Sequence, residues 1–490
     1  MQLSINIDLS NKQSLQNQIF ESIRQQILSG QLKANTLLPS SRLLSEQLNV
    51  SRNTIVLTYE RLIAEDYICS RRTIGTFVNP ELPESSLTIS NRHENKVAKE
   101  RTQSNRNPIV FKGRVQTLDN PDRDKLDIDF WVDRPDPDSF PVKSWRKLIL
   151  HHFQSSASNM TEYHDPAGIF ELRQAIVNHL RPARGIVAEP EQVIITNGSQ
   201  QAMNIVARLL IKQGTEVVTE CPCYQGAVFV LESYGAKIHP VNVDENGLKV
   251  SELPTTPVSM AYVTPSHQYP MGSTLTLNRR IRLLDWAREV GAYIVEDDYD
   301  SDFRHQGSPL TALAGQDPHG CVIYLGTFSK SIGAGLRIGY MIVPPELVDA
   351  ATAIKTLMDN GHAWLDQAVL ADFISNGAYN KHLRRIRRVY INRRDTLTEA
   401  LNKHFGEVNL SGLEGGMHIV WHLPDYFPNA SEMKKIAEDV GIGIYTLESG
   451  AAHEFGKKEY NNRTLMLGYS SISEDKIQEG IKRIATALKV

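Results

Sequence analysis

Six short apolar runs constrain this chain more than any other feature: QVIIT, TEVVTE, SMAYVTP, AYIVEDD, CVIYLGTF and IGYMIV, spread from residue 192 to residue 343. Each is rich in β-branched residues and bounded by turn residues. None shows the polar alternation of a half-solvated strand, so each reads as a strand buried on both faces. Stretches of helical periodicity, such as GSQQAMNIVARLLI and LNRRIRLLDWAREV, lie between them. Such alternation predicts an α/β architecture, a largely parallel sheet with helices on both faces. At 490 residues the chain is also too long for one domain.

The α/β pattern begins only at about residue 126. Residues 14–78 hold short helical patterns instead. In SLQNQIFESIRQQILSGQL, Leu15, Ile19, Ile23 and Ile27 recur every four residues, and Gly30 supplies a stop. LLPSSRLLSEQLNV predicts a short helix after a Pro-Ser cap, with Leu43, Leu44 and Leu48 inward. SRNTIVLTYERLIAEDYI predicts a third, with Ile55, Val56, Tyr59, Leu62 and Ile63 on its apolar side. YICSRRTIGTFV reads as two short strands around a basic turn. Residues 80–125 turn polar and poor in aromatics, the composition of a flexible linker. Three regions are expected: 1–79, 80–125 and 126–490.

Charge is divided along the same lines. Residues 1–79 carry 8 Lys/Arg against 6 Asp/Glu and residues 80–125 carry 9 against 7, which leaves −7 for the remainder of a chain whose net charge is −3. A mildly basic front permits nucleic-acid binding there. Cys69, Cys221, Cys223 and Cys321 form neither an even framework nor a CxxC pair, so reduced thiols and no metal are expected. The N-terminal MQLSINIDLS lacks a basic-then-apolar leader, and no apolar run approaches ~18 residues. A cytoplasmic protein without membrane partners is expected.

Three helices followed by a two-stranded basic wing make a winged helix-turn-helix, whose third helix enters the major groove of double-stranded DNA. Its first turn here is VSRNTI: Arg52 can reach guanine or phosphate, Asn53 can pair with adenine, and Ser51 and Thr54 suit phosphate contacts. Arg42 lies where a backbone clamp would be, and Arg71 and Arg72, near Gly75 in the wing, suit a neighbouring groove. A small helical dimerisation module would also carry solvated arginines. The ordered set LLPSSRLLSEQLNVSRNTIVLTYERL…GTFV, however, resembles the GntR family of bacterial regulators.

Lys330, in GTFSKSIGAGLRIGY, is a surface charge unless it has company. A lysine that holds pyridoxal 5'-phosphate as a Schiff base requires a partner for the pyridine nitrogen, a donor to the ring oxygen, a stacking aromatic and a phosphate cup. VEDDYDSDF offers Asp297 for the nitrogen and Tyr299 for the ring oxygen; ITNGSQQAMN offers the backbone N–H groups of Ser199 and Gln200 at a helix start for the phosphate. Thr327 and Arg337 flank Lys330 and complete the cup. Tyr224, after another strand, can stack on the ring. This combination resembles the fold-type I aminotransferases from about residue 126 onward. YHDPAGIFELRQAI (Tyr163, Asp165, Gly168, Arg173) is similar to another motif of that family. By this resemblance Tyr163 reaches the cofactor phosphate of a partner subunit, so a homodimer is implied. A GntR-like head on such a body resembles the MocR family of regulators, in which the aminotransferase-like domain senses an effector.

Two departures bear on function. Aminotransferases carry an arginine for the substrate carboxylate in a stretch of the type L-R-L-G-F-S; here LMLGYS places Met466 there, and Arg463 is expected on the opposite face of the same strand. Methionine cannot hold a carboxylate. MocR members that respond to γ-aminobutyrate have a second arginine two residues after the stacking tyrosine, where this chain has Gly226. In PSHQYPMG, Tyr269 replaces the family's asparagine, which leaves His267 or Gln268 to touch the ring oxygen. The cofactor pocket reads as intact and the amino-acid clamp as absent. The resemblance therefore runs to the PdxR-type subset of the family: a sensor of pyridoxal phosphate rather than an enzyme, held through a Lys330 aldimine, activating vitamin B6 synthesis genes and repressing itself. A true aminotransferase with a fused head, or a sensor of an amine or amino acid, are the competing readings.

Overall fold

The computed structural model describes residues 3–8, 13–71, 74–80, 113–115, 120, 123–132, 134–305, 310–456 and 459–489. The chain divides into two compact units, Met1–Pro108 and Ile109–Val490.

The first unit is built from α1 (Leu15–Leu28), α2 (Ser41–Leu48), α3 (Arg52–Ala64) and an antiparallel pair, β1 (Ile68–Arg71) and β2 (Gly75–Val78). Each helix starts at a serine whose hydroxyl accepts a backbone N–H from three residues on: Ser14 from Asn17, Ser40 from Leu43, Ser51 from Thr54. At about 1 kcal/mol per cap, these serines decide where helices too short to persist alone begin. Ile19, Phe20, Ile23, Ile27, Leu44, Ile55, Tyr59, Leu62 and Val78 close the core. Two positions expected inside are not: Leu43 is 44% exposed and Ile63 38%. Each sits one residue, about 100° of helix, from a fully buried leucine, Leu44 or Leu62, and such narrow faces bury only one of the two. Phe20 is buried in the same core, with the Arg61 guanidinium 3.8 Å from its ring centre.

The second unit is organised by an eight-stranded sheet: β3 (Val193–Thr196), β4 (Glu216–Cys221), β5 (Lys237–Asp244), β6 (Gly247–Leu248), β7 (Met260–Val263), β8 (Tyr293–Asp298), β9 (Val322–Thr327) and β10 (Gly339–Ile342). The spatial order is β3-β10-β9-β8-β7-β4-β5-β6. Strands β9, β8, β7, β4 and β5 run parallel; β10 is antiparallel to both its neighbours, and β6 to β5. All six apolar runs are in this sheet. Alternate side chains enter two cores: Ile195, Tyr324 and Tyr340 one, Ile194, Ile323 and Met341 the other. That double burial is why the runs lack alternation. Strand β5, KIHPVNVD, escaped sequence reasoning because it lies near the edge and keeps exposed positions.

Helices α4 (Phe170–Arg184) and α5 (Ser199–Leu210) cover this sheet, and the 28-residue α6 (Ala378–Phe405) leads to a smaller lobe. There β11 (Asn409–Ser411), β12 (His418–His422), β13 (Tyr445–Thr446) and β14 (Thr464–Gly468) form an antiparallel sheet in the order β11-β12-β14-β13, and α7 (Glu474–Leu488) packs on α6. Residues 128–129 pair in parallel with 442–443, which carries Trp131 and Val132 onto this lobe.

Candidate functional site

The carboxyl ends of the parallel strands gather along one edge, where sheets of this kind bind ligands. Asp297, 5% exposed, is the penultimate residue of strand β8. Its Oδ2 accepts a 2.6 Å bond from the Tyr262 hydroxyl, while Oδ1 is buried with no partner among the described residues. Burial lifts the carboxyl to about 6, opposed by the Tyr262 hydroxyl and by the charge of Lys330. A buried acceptor without a donor costs about 1–3 kcal/mol, so this oxygen fits a ligand N–H, a cationic one best. Lys330 lies in the π-helical turn Ser329–Gly333 just beyond β9. Single π-turns of this kind often mark functional positions.

A turn with backbone donors unbonded among the described residues lies at the end of β3. After β3 the chain turns at Gly198 (φ +78) into α5, and the backbone N–H groups of Ser199 and Gln200 have no acceptor among the described residues. With the helix dipole behind them, these donors suit a phosphate. Arg337, itself left-handed at φ +55, donates through Nη2 to the Asn197 carbonyl at 2.7 Å. A Cβ on residue 198 would stand 2.8 Å from that guanidinium nitrogen, so glycine is required by both backbone and space. Thr327 ends β9; its hydroxyl donates to Ser329 Oγ and accepts the Ser329 N–H. Tyr299 follows β8, its hydroxyl 3.0 Å from His267 Nδ1, which also meets Asp300 at 2.8 Å. Tyr224 follows β4 and lies over Gly226, where an added Cβ would fall 2.6 Å from the ring. Tyr269 stands edge-on to both Tyr224 and Tyr299, at 5.9 and 5.7 Å.

Thus Lys330, Asp297, Tyr299, Tyr224, Ser199, Gln200, Thr327 and Arg337 all lie along this edge or its connecting turns. Tyr163 stands apart, 92% exposed, while Asp165 beside it caps Ala167 N and holds Arg173 at 2.7 Å. Two buried groups were missed. Glu220 accepts from Thr264 and Gln268, and burial pushes it up to about 7. Arg184, the last residue of α4, pairs with Asp298 at 2.8 Å and with Ser266 at 2.6 Å. A charged residue closing an apolar run was the available signal for Glu220; nothing local marks Arg184.

In the first unit, Arg52 and Asn53 are exposed on the opening turn of α3, with Ser51 and Thr54 bonded to each other at 2.9 Å beside them. Arg42 is exposed on α2 and pairs with Glu46 at 3.3 Å. Arg71 lies 5.8 Å from the Phe77 ring centre, opposite Gly75 in register. Arg72 lies outside the described residues. Among the described residues no helix is long and apolar enough to cross a membrane, and no His/Cys/Asp/Glu cluster has metal-holding geometry.

The family profile "Bacterial regulatory proteins, gntR family" matches residues 15–78, and "Aminotransferase class I and II" matches residues 132–462. The "Probable rhizopine catabolism regulatory protein MocR" of Rhizobium meliloti is 35% identical over 477 residues, 96% of this chain and 93% of that protein. This chain belongs to the MocR family of GntR-type transcriptional regulators. The "HTH-type pyridoxine biosynthesis transcriptional regulator PdxR" of Corynebacterium glutamicum is 29% identical, over 97% of this chain and 96% of its own. Among solved structures, the Pyrococcus horikoshii kynurenine aminotransferase in complex with PMP matches 74% of this chain and 91% of its own at 31% identity and TM-score 0.68. The Thermus thermophilus α-aminoadipate aminotransferase LysN, complexed with N-(5'-phosphopyridoxyl)-L-leucine, covers 76% and 95% at 26% identity and TM-score 0.67.

Within the MocR framework, the departures now have geometry. Met466 is fully buried on β14, opposite Val420 and Tyr445, in a cluster with Trp131, Val132, Tyr269 and Met271 that Tyr224 and Tyr299 border. Arg463 is not on that strand, contrary to expectation. It ends the short helix Glu459–Arg463 and donates to the carbonyls of Leu423, Pro424 and Phe427. Nor is Gln268 free for a ring oxygen: its amide is spent on Glu220, Pro222 and Tyr269. Of the two candidates for that contact only His267 borders Tyr299.

Proposed function

We propose that this MocR-family regulator takes pyridoxal 5'-phosphate as its effector, rather than as the cofactor of a transamination, and that it controls vitamin B6 synthesis genes, activating them and repressing its own. The observation that carries this reading is the unpartnered Oδ1 of buried Asp297, whose carboxyl feels the charge of Lys330, taken together with a fully buried Met466 that offers a carboxylate nothing. When bound, the group supplies an aldehyde for a lysine amine and a conjugated ring whose absorbance reports the bond. Lys330 brings the amine, Asp297 Oδ1 accepts from the ring nitrogen, Tyr299 meets the ring oxygen, and Tyr224 stacks. Ser199, Gln200, Thr327 and Arg337 hold the phosphate. The PdxR relative's printed function, regulation of pyridoxine biosynthesis, supports the choice of genes. Arg42, Ser51, Arg52, Asn53, Thr54, Arg71, Arg72 and Gly75 form the DNA-contacting set, with α3 in the major groove. Regions 1–79, 80–125 and 126–490 act as head, tether and sensor. The working form is a homodimer in which Tyr163 completes the phosphate site of the other subunit. Its exposure, with Met160 also exposed three residues before it, supports that surface.

The test is a titration of wild type and Lys330→Ala with pyridoxal phosphate, following absorbance and promoter-fragment binding in the same samples, with amino acids added last. A band that needs Lys330, DNA affinity that moves with it, and indifference to amino acids are expected. Discharge of the band by amino acids at catalytic rates would establish an enzyme instead.

A further inference from the structure

Lys355 is fully buried in the helix Val348–Asp359, although it is charged and outside the residues assigned above. Its ammonium meets Asp359 Oδ1 at 2.5 Å, and the Gly361 N–H reaches the same oxygen at 3.0 Å. The other oxygen, Oδ2, accepts from Gln201 Nε2 at 2.7 Å and from Asn197 Nδ2 at 3.1 Å. Gln201 in turn accepts the Asn197 N–H at 2.8 Å, and the Asn197 carbonyl receives Arg337. The bonds made by Asp359 Oδ2, by Gln201 Oε1 and by Arg337 converge on the turn that aims the free N–H groups of Ser199 and Gln200.

We infer that Asp359 is a positioning residue for the phosphate-binding corner, selecting a phosphate monoester through Asn197, Gln201 and Arg337 without touching it. The turn at Gly198 has no side-chain cap at its helix start; Thr196 Oγ1 donating to the Gly198 carbonyl and Gln201 accepting the Asn197 N–H brace it locally, and its remaining tethers come from outside. Asp359 supplies two of them from a separate helix. Lys355 neutralises the carboxylate, which keeps a negative charge from opposing the incoming phosphate. Where outer partners hold a binding group, losing them weakens binding without removing any direct contact.

The inference rests on the pyridoxal phosphate reading, and one pair of probes separates the two. Pyridoxal 5'-phosphate and pyridoxal carry the same aldehyde and ring but differ in the phosphate. Full-length wild type, Asp359→Asn, Asp359→Glu and the double variant Asp359→Asn/Lys355→Met are titrated with each, reading the Lys330-dependent band. Apoprotein melting is recorded alongside. The double variant leaves no buried ammonium unpaired, so it covers the case in which Asp359→Asn alone does not fold. Expected is a loss of affinity for the phosphate ester on the order of tenfold or more, with pyridoxal changed much less and Asp359→Glu in between. Equal losses for both probes, or no loss for either, in folded variants would overturn the positioning role. Wild type that gives no Lys330-dependent band with either probe would overturn the effector reading itself, and the inference with it.

Discussion

Asp297 shows what a single side chain tells about this protein. Its carboxyl holds a proton up to about pH 6 when folded, against an ordinary value near ~4, so the folded state binds more protons between those values and stability falls as pH rises through them. Removing the charge should relieve a penalty of up to ~3 kcal/mol. Apo Asp297→Asn is expected to melt above wild type at pH 7.5, with the gap closing toward pH 5; a gap independent of pH would refute the assignment. Pyridoxal phosphate should stabilise wild type more than this variant. Gly198 makes a second prediction. Alanine there meets both a left-handed backbone and the Arg337 guanidinium, so Gly198→Ala is expected to cost about 1–2 kcal/mol and to weaken phosphate-ester binding more than pyridoxal binding, measured by the same titration.

At the scale of the element, helix α3 separates contact from cap. Arg52 and Asn53 are exposed and their side chains make no bond among the described residues, whereas Ser51 caps the helix. Arg52→Ala should therefore lower promoter affinity by about 1–3 kcal/mol and leave melting unchanged, read by fluorescence anisotropy beside calorimetry. Ser51→Ala should lower both. The strands teach a complementary lesson. Six runs were legible because burial on both faces writes itself as unbroken apolar sequence, while β5, exposed at alternate positions, wrote a weaker signal. In α2 the periodicity located the helix but not its inward face, since Leu43 and Leu44 are chemically equivalent and only the neighbouring helices choose between them.

The whole molecule holds separate cores, one closed by Ile19, Leu44, Ile55 and Val78 in the first unit, the others on the faces and lobe of the second. Two calorimetric transitions are expected. Pyridoxal phosphate at a hundred times its dissociation constant should stabilise the sensor transition alone by about 2.7 kcal/mol, whereas Leu44→Ala should lower only the head's. A single transition moved by both would mean the units fold as one. Light scattering is expected to give a dimer, and Tyr163→Phe to weaken cofactor binding; a monomer in the presence of cofactor would refute the shared site.

By itself the sequence outlined a helical head before an α/β body, the strands buried on both faces and the Pro-Ser cap of α2, because these depend on local pattern and residue chemistry. Tertiary structure decided what local pattern does not encode. It set Arg184 against Asp298, more than a hundred residues away, and Asp359 behind Asn197 and Gln201. It also spent Gln268 on Glu220 and left Asp297 Oδ1 without a partner. Burial and hydrogen-bond satisfaction are properties of packed neighbours, and those neighbours meet only once the sheet has brought the ends of its strands together.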